Sequence, residues 1–122
     1  MSASEIEQFF EELLSKPNRA EALSWLDEAT DECPRTLGEL ETNELSFDLV
    51  NDAYKAGAIE VIAVDIQTYA DGSQSTGCLV LLLPEEEARR KQTLVWCNKL
   101  SEQLGLPPED EFGQKYTLVM LD

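Results

Sequence analysis

The 122-residue sequence contains no histidine, and its three cysteines lack the Cys-x-x-Cys spacing of zinc sites. Histidine is the usual general base, so its absence excludes Ser-His and Cys-His nucleophile pairs within the chain. No glycine-rich phosphate loop is present either. Because Cys78 and Cys97 stand in apolar patterns and the number of cysteines is odd, we expect free thiols. We expect no cofactor and no metal.

Basic residues are scarce as well: nine lysines and arginines face 25 aspartates and glutamates, for a net charge of −16. This balance disfavours direct binding of nucleic acids, because phosphate contacts need a basic surface, and it disfavours anionic membranes for the same reason. No apolar run approaches the roughly 18 residues of a membrane span, and the first residues do not resemble a signal peptide. We therefore expect a cytoplasmic protein.

Two apolar segments joined by a turn organise the chain. Residues 58–69 are rich in β-branched side chains, which favour a strand. Asp71 and Gly72 follow as turn residues. Residues 76–83 are apolar on both faces, which is typical of a strand buried on both sides, and Pro84 ends it. A third strand of the same kind is predicted at residues 115–121.

Apolar residues at helical spacing predict four helices, over residues 4–15, about 19–33, 46–57 and 85–104. Residues 1–57 are thus expected to be mostly helical, with only a turn or a short helix at 36–45. Acidic residues crowd the end of the second helix. Their charge is unfavourable at the negative end of the helix dipole, so we expect that end to fray.

The order of elements predicts a single α+β domain, in which three helices precede a ββαβ portion at residues 58–122. That portion resembles part of a ferredoxin-like α/β plait in element order only. The right-handed rule for strand–helix–strand crossovers places the third strand beside the first, in a three-stranded antiparallel sheet of order 2-1-3. We expect the long helix to cover one face and the N-terminal helices, or a second copy of the chain, to cover the other.

Asp65 is the candidate catalytic residue because it stands between apolar residues in the first strand. A buried carboxylate has a raised pKa and acts as an acid or a base. A partly solvated strand face, or an ion pair, is the alternative. Gln67 and Tyr69, on the same strand face, are candidate binding residues.

Arg89 and Arg90 are also candidate binding residues, because with Lys91 they form the only basic cluster of the sequence. Such a cluster is able to bind a phosphate group or an acidic partner. The alternative is pairing with the glutamates at 85–87, at the i, i+4 spacing of a helix. The acidic residues at 109–111 lack the alternating spacing of a calcium loop, so we expect no metal there.

Two functions from different classes remain. The absence of histidine and of any catalytic motif favours a non-enzymatic protein-interaction module, whose partner presents a basic surface; a homodimer is the other partner considered. The alternative is a small-molecule-binding protein or enzyme that uses Asp65 and its polar neighbours. The acidity itself has a simpler explanation, a solvated surface that only keeps the protein soluble.

Overall fold

The computed structural model describes residues 3–38, 40–103, 105 and 113–121. This part of the chain has a mixed α+β architecture, with the core sheet between two layers of helices. In chain order the elements are α1 (Ala3–Ser15), β1 (Ala20–Glu21), α2 (Ala22–Asp27), β2 (Arg35–Leu37), α3 (Asn43–Lys55), β3 (Glu60–Val64), β4 (Gln67–Thr68), β5 (Gln74–Thr76), β6 (Cys78–Leu82), α4 (Glu87–Gln103) and β7 (Tyr116–Met120).

Four strands form the main sheet, which is antiparallel throughout and has the order β1-β3-β6-β7. The predicted order 2-1-3 is therefore wrong, because the third predicted strand, β7, pairs with the second, β6. The plait topology, which depends on that order, is not observed either. The expected strand at 58–69 is internal only because the two-residue strand β1 pairs with its other edge.

The crossover rule failed because the connection through α4 is not a crossover. The chain leaves β6 at Leu82 and enters β7 at Tyr116, and these two residues are register partners at the same end of the sheet. The amide of Leu83 donates to the carbonyl of Lys115 (2.9 Å) and extends the ladder beyond both strands. The right-handed rule governs parallel strands that enter at the same end, so it does not apply to this antiparallel return.

The predicted hairpin is confirmed, but it bends in the middle. The pairs Val64–Cys78 and Gln67–Ser75 keep one register across the bend. Asp65 lies in the left-handed region at φ 53°, where Asp is tolerated better than most residues. The hydroxyl of Thr76 donates to the Val64 carbonyl, which keeps that buried acceptor satisfied where the strand breaks.

Beyond the bend, the tip of the hairpin belongs to a second, small sheet of order β2-β5-β4. Strand β2 pairs with β5 in parallel, at a position where only a turn or short helix was expected. The pairing joins segments that are distant in sequence: the Gln74 amide donates to the Pro34 carbonyl and the Gly38 amide to the Thr76 carbonyl. A strand of three residues is defined by such pairing and not by its own composition.

The second helix is much shorter than predicted. It begins after Glu21, whose carboxylate accepts from the amides of Leu23 (3.1 Å) and Ser24 (2.9 Å), and it ends at Asp27. Residues 28–34 form a loop in which Thr30 and Cys33 exchange backbone hydrogen bonds. Of the acidic residues that were expected to fray the helix, Asp27 ends α2, and Glu28, Asp31 and Glu32 lie in this loop, in agreement with the dipole argument.

Both faces of the main sheet are covered, as predicted. On one face, helices α2, α3 and α4 pack on the side chains of Val61, Leu79, Leu81 and Val119. On the other, α1 alone packs through Phe10 on Ile62, Val64 and Val80. The N-terminal helices thus divide between the faces. Leu79 and Leu81 have no exposed surface.

All three cysteines are thiols that form no disulfide bond, with Cys97 buried and Cys33 and Cys78 partly buried. Among the described helices, none is both long and apolar enough to cross a membrane. The acidic segment 109–111 lies outside the described residues.

Candidate interaction surface

The structure places Asp65 in solvent and not in the core. Its carboxylate accepts a hydrogen bond from the side-chain amide of Gln67 (3.1 Å) and approaches that of Asn18 (3.5 Å). The backbone of Ile66 donates to the Asn18 carbonyl (3.0 Å), so these contacts hold the bend of the hairpin. The burial on which the catalytic hypothesis depends is absent at Asp65.

The other predicted binding residues serve separate parts of the fold. Tyr69 is exposed, and its hydroxyl lies 3.1 Å from that of Ser75, across the hairpin tip. Arg90 donates to the carbonyl (2.6 Å) and side-chain oxygen (3.0 Å) of Gln114, which ties α4 to the start of β7. Arg89 is exposed on α4. Of the predicted site residues, the structure thus joins only Asp65 and Gln67 by a side-chain hydrogen bond.

A feature that sequence reasoning missed is the outer edge of β7. The backbone amide of Leu83 donates to the Lys115 carbonyl, and that of Leu121 donates to the Gly77 carbonyl (2.7 Å). In β7 and at its two ends, the residues of odd number therefore turn their backbone amide and carbonyl groups toward β6. In an antiparallel strand the alternate residues point the other way. The amide and carbonyl groups of Tyr116, Leu118 and Met120 therefore face outward. Within the described part of the chain no strand pairs with this side of β7.

The opposite edge of the main sheet, at β1, has a different arrangement of backbone hydrogen bonds. Strand β1 pairs only with Ile62 and Ala63 of β3, because the chain turns into α2 after Glu21. The backbone amide of Val61 would then lack a partner, but it donates to the Tyr54 hydroxyl at 3.0 Å. That hydroxyl in turn donates to the Glu21 carboxylate at 2.6 Å. A side chain thus replaces the missing strand at this edge.

The electrostatics of this contact follow from its partial burial. Burial and the hydrogen bond to Glu21 raise the pKa of Tyr54 to about 12. Burial alone would raise the pKa of Glu21, but the hydrogen bonds from Tyr54 and from the start of α2 outweigh it and lower that pKa. Both shifts stabilise the pair of neutral tyrosine and ionised glutamate at neutral pH.

We expect the Tyr54→Phe variant to lose about 1–3 kcal/mol of unfolding free energy, because the substitution leaves the Val61 amide without a partner. The contribution that comes from the raised pKa of Tyr54 is complete below the unfolded value near 10. It is lost as the pH rises through the folded value of about 12. Urea unfolding at neutral and alkaline pH measures both effects.

The matched control is Tyr69→Phe, which removes an exposed hydroxyl from the hairpin tip. Its unfolding free energy should stay within about 0.5 kcal/mol of the wild-type value. Equal losses in the two variants would contradict the capping role of Tyr54.

The surroundings of the β7 edge combine apolar and charged groups. A cavity of about 110 Å³ is lined by Ile6, Glu7 and Phe10 of α1 and by residues 113–116. The Phe10 ring packs on the Tyr116 ring, with centroids 5.6 Å apart. On the other side, a wider groove of about 680 Å³ is lined by Arg90, Glu85 and Ile59, among others. Neither Asp65 nor Gln67 lines either cavity.

The outermost side chain on this edge is apolar and exposed. Met120 is 38% exposed, while Leu118 beside it is half-buried under α1. The Met120 sulfur lies 3.6 Å from that of Cys78 on the neighbouring strand. The strand β7 itself, Tyr116–Met120, carries no charged residue.

Acidic side chains are frequent on the surface of the N-terminal half. Residues 1–57 hold 14 acidic and 4 basic residues. Thirteen of those acids are described, and twelve are exposed, with only Glu21 partly buried. On α1 they lie at positions 5, 7, 11 and 12. At the end of α2 and in the loop after it they lie at 27, 28, 31 and 32, and around the start of α3 at 41 and 44.

The loop after α2 and the start of α3 form one acidic region. The side-chain amide of Asn43 donates to the carbonyls of Leu26 and Arg35, both at 3.0 Å, and so holds the start of α3 against both ends of the loop. Within this region Glu28 is already engaged, because its carboxylate lies 3.4 Å from the Arg35 guanidinium. Arg35 also donates to the Trp25 carbonyl (2.7 Å).

Among the described residues, no group of three or more Cys, Asp or Glu side chains is arranged to hold a metal ion. Comparison of the chain with models of protein families, with curated proteins and with solved structures finds no match.

Proposed function

We propose that this protein is a non-enzymatic interaction module that binds a protein partner with a basic surface. The observation that carries the proposal is the exposure of twelve described acidic side chains in the first 57 residues. They project from α1 and from the acidic region at the α2–α3 side. A surface of one sign attracts partners of the opposite sign and rejects those of its own.

The placement of the acids supports this proposal more than their number does. On α1 the apolar stripe packs on the sheet, so its glutamates all take the solvent side. In the loop after α2 and at the start of α3, Asn43 holds two acidic segments together. Like charges held side by side repel each other, and a cationic partner relieves that repulsion.

The alternative use of Asp65 in catalysis or small-molecule binding has less support. Its carboxylate is exposed and bonded to Gln67 at the bend, and Arg89 and Arg90 lie on another element. An acid or base at this position would therefore work in solvent, without the burial that tunes a catalytic pKa.

The test is affinity capture from native lysate of the source cells, with the wild-type chain and a Glu7→Gln, Glu11→Gln, Glu32→Gln variant as baits. All three residues are exposed, and Glu28 is left intact because it contacts Arg35. The proposal expects a stoichiometric protein with a basic surface on the wild-type bait and a several-fold smaller amount on the variant. A co-purified metabolite without a protein would support the alternative. Equal capture by both baits would mean that the acids serve solubility only.

A further inference from the structure

We propose that the outer edge of β7 takes up an extended basic segment of the partner as a fifth strand of the main sheet. This inference rests on the proposed function and specifies how the partner docks. Strand addition at a sheet edge uses backbone hydrogen bonds for affinity and alternate side chains for specificity.

The backbone of β7 is arranged to accept a further strand. Tyr116, Leu118 and Met120 turn their amide and carbonyl groups away from β6. An added strand would form hydrogen bonds with all three residues in one register. The other edge of the sheet offers no such site, because there the Tyr54 hydroxyl accepts from the Val61 amide that β1 leaves unpaired. An open edge strand is a template for another chain unless charges, proline or a cover protect it, and β7 carries neither charge nor proline.

The side chains give the second argument. Leu118 and Met120 point to the α1 face of the sheet, where Met120 is 38% exposed at the rim. An incoming strand would place every second side chain beside these two residues. Apolar side chains at those positions would cover the rim and extend the cluster below α1.

Charge identifies the occupant. A second copy of the chain would bring a further net charge of −16 and another α1 with its exposed glutamates. Glu7 lines the cavity at the start of β7 together with Lys115, whose ammonium group lies over the Tyr116 ring, and Glu11 follows one turn further on the same face of α1. A segment with lysine or arginine at alternate positions gains from these carboxylates, while a copy is repelled by them. Alternating apolar and basic residues are therefore the expected pattern of the segment.

The probe is the peptide Lys-Val-Lys-Val-Lys-Val-Lys, acetylated and amidated at its ends. Backbone amide exchange of the intact chain is measured by NMR with and without the peptide. At saturating peptide, exchange at Tyr116, Leu118 and Met120 should slow by tenfold or more. Exchange at Val119, whose amide already faces β6, should not change.

The matched variants are Met120→Pro and Met120→Ala. Proline at 120 removes an amide that faces outward and leaves the ladder to β6 intact, so we expect the variant to fold. The peptide Kd should rise tenfold or more in Met120→Pro and less than threefold in Met120→Ala. If Met120→Pro does not fold, the amide exchange of the wild-type chain tests the proposal by itself: protection of Tyr116, Leu118 and Met120 by the peptide supports it, and no protection contradicts it.

Two results would overturn the proposal. Peptide binding without protection of the three amides would mean that the acids bind the probe elsewhere, which leaves the proposed function standing and removes the strand. Protection of the same amides in the chain alone, together with the mass of a dimer, would make a second copy the occupant.

Discussion

Replacing Leu81 by alanine is expected to lower the free energy of unfolding by about 2–5 kcal/mol. Leu81 lies in β6, an internal strand of the main sheet, and its side chain has no exposed surface. The helices on that face and the neighbouring strands close around it. The truncation removes apolar contacts and leaves a cavity that these elements cannot fill. Urea denaturation followed by tryptophan fluorescence measures the loss.

Leu45→Ala is the control for this prediction, since Leu45 lies on α3 and is 51% exposed. Its unfolding free energy should stay within about 0.5 kcal/mol of wild type. A loss for Leu81→Ala no greater than that for Leu45→Ala would contradict the placement of β6 inside the sheet.

The second large effect is expected for Gly57→Ala. Gly57 has φ +113°, a conformation that side chains with Cβ rarely adopt, and which costs about 1–3 kcal/mol. A Cβ at this position would also lie 2.7 Å from Arg89 Cγ and from Thr93 Oγ1. Thr93 is fully buried, and its hydroxyl donates to the Ala56 carbonyl (2.9 Å), so it does not yield easily. Overpacking adds about 1–3 kcal/mol.

Gly113→Ala separates the two causes, because Gly113 also has a positive φ (+82°) but its Cβ would meet no described atom within 4 Å beyond its chain neighbours. We expect this control to lose about 1–2 kcal/mol, the conformational cost alone. Thermal unfolding of both variants gives the comparison. If the two variants lost the same stability, the close approach of α3 and α4 at Gly57 would be refuted.

The parts of the fold that sequence alone predicts are those with strong local periodicity. The apolar stripe of α1 and the two segments of the hairpin follow from side-chain spacing and β-branching. The helix predicted over 46–57 ends close to the expected position, and the positive φ of Gly57 after α3 is typical of a helix stop. Its start was missed: Thr42 is the N-cap of α3, and Ser46, where the predicted helix begins, is buried and its hydroxyl accepts from the Leu37 amide.

What sequence could not predict depends on contacts between distant segments. Strands β1 and β2 have two and three residues, and only their partners at Ala63 and Ser75 define them. The strand order depends on where the chain returns after α4, which no local pattern encodes. The edge of β7 that no described strand pairs with follows from that order, and so it was not predicted either.

The same distinction applies to the candidate residues. Asp65 lies in an apolar stretch of sequence, but the positive φ at this position turns the chain out of the main sheet and into solvent. Twelve of the thirteen described acidic residues in 1–57 are exposed, because carboxylates are seldom buried without partners. Their grouping around Asn43 was visible only in the folded chain.

The central claim, that the acids of the N-terminal half select a basic partner, is tested most directly by association kinetics. The association rate constant with the captured partner is measured between 0.1 and 1 M salt, where the Debye length falls from about 10 Å to about 3 Å. The Glu7→Gln, Glu11→Gln, Glu32→Gln variant is compared with a control of equal charge change, Glu60→Gln, Glu87→Gln, Glu102→Gln, in the other half.

The account predicts that the wild-type rate constant falls about tenfold or more over this range, as expected for electrostatic steering. It also predicts that the N-terminal variant associates several times more slowly than the C-terminal control at low salt. A rate constant indifferent to salt and equal in the two variants would contradict the account.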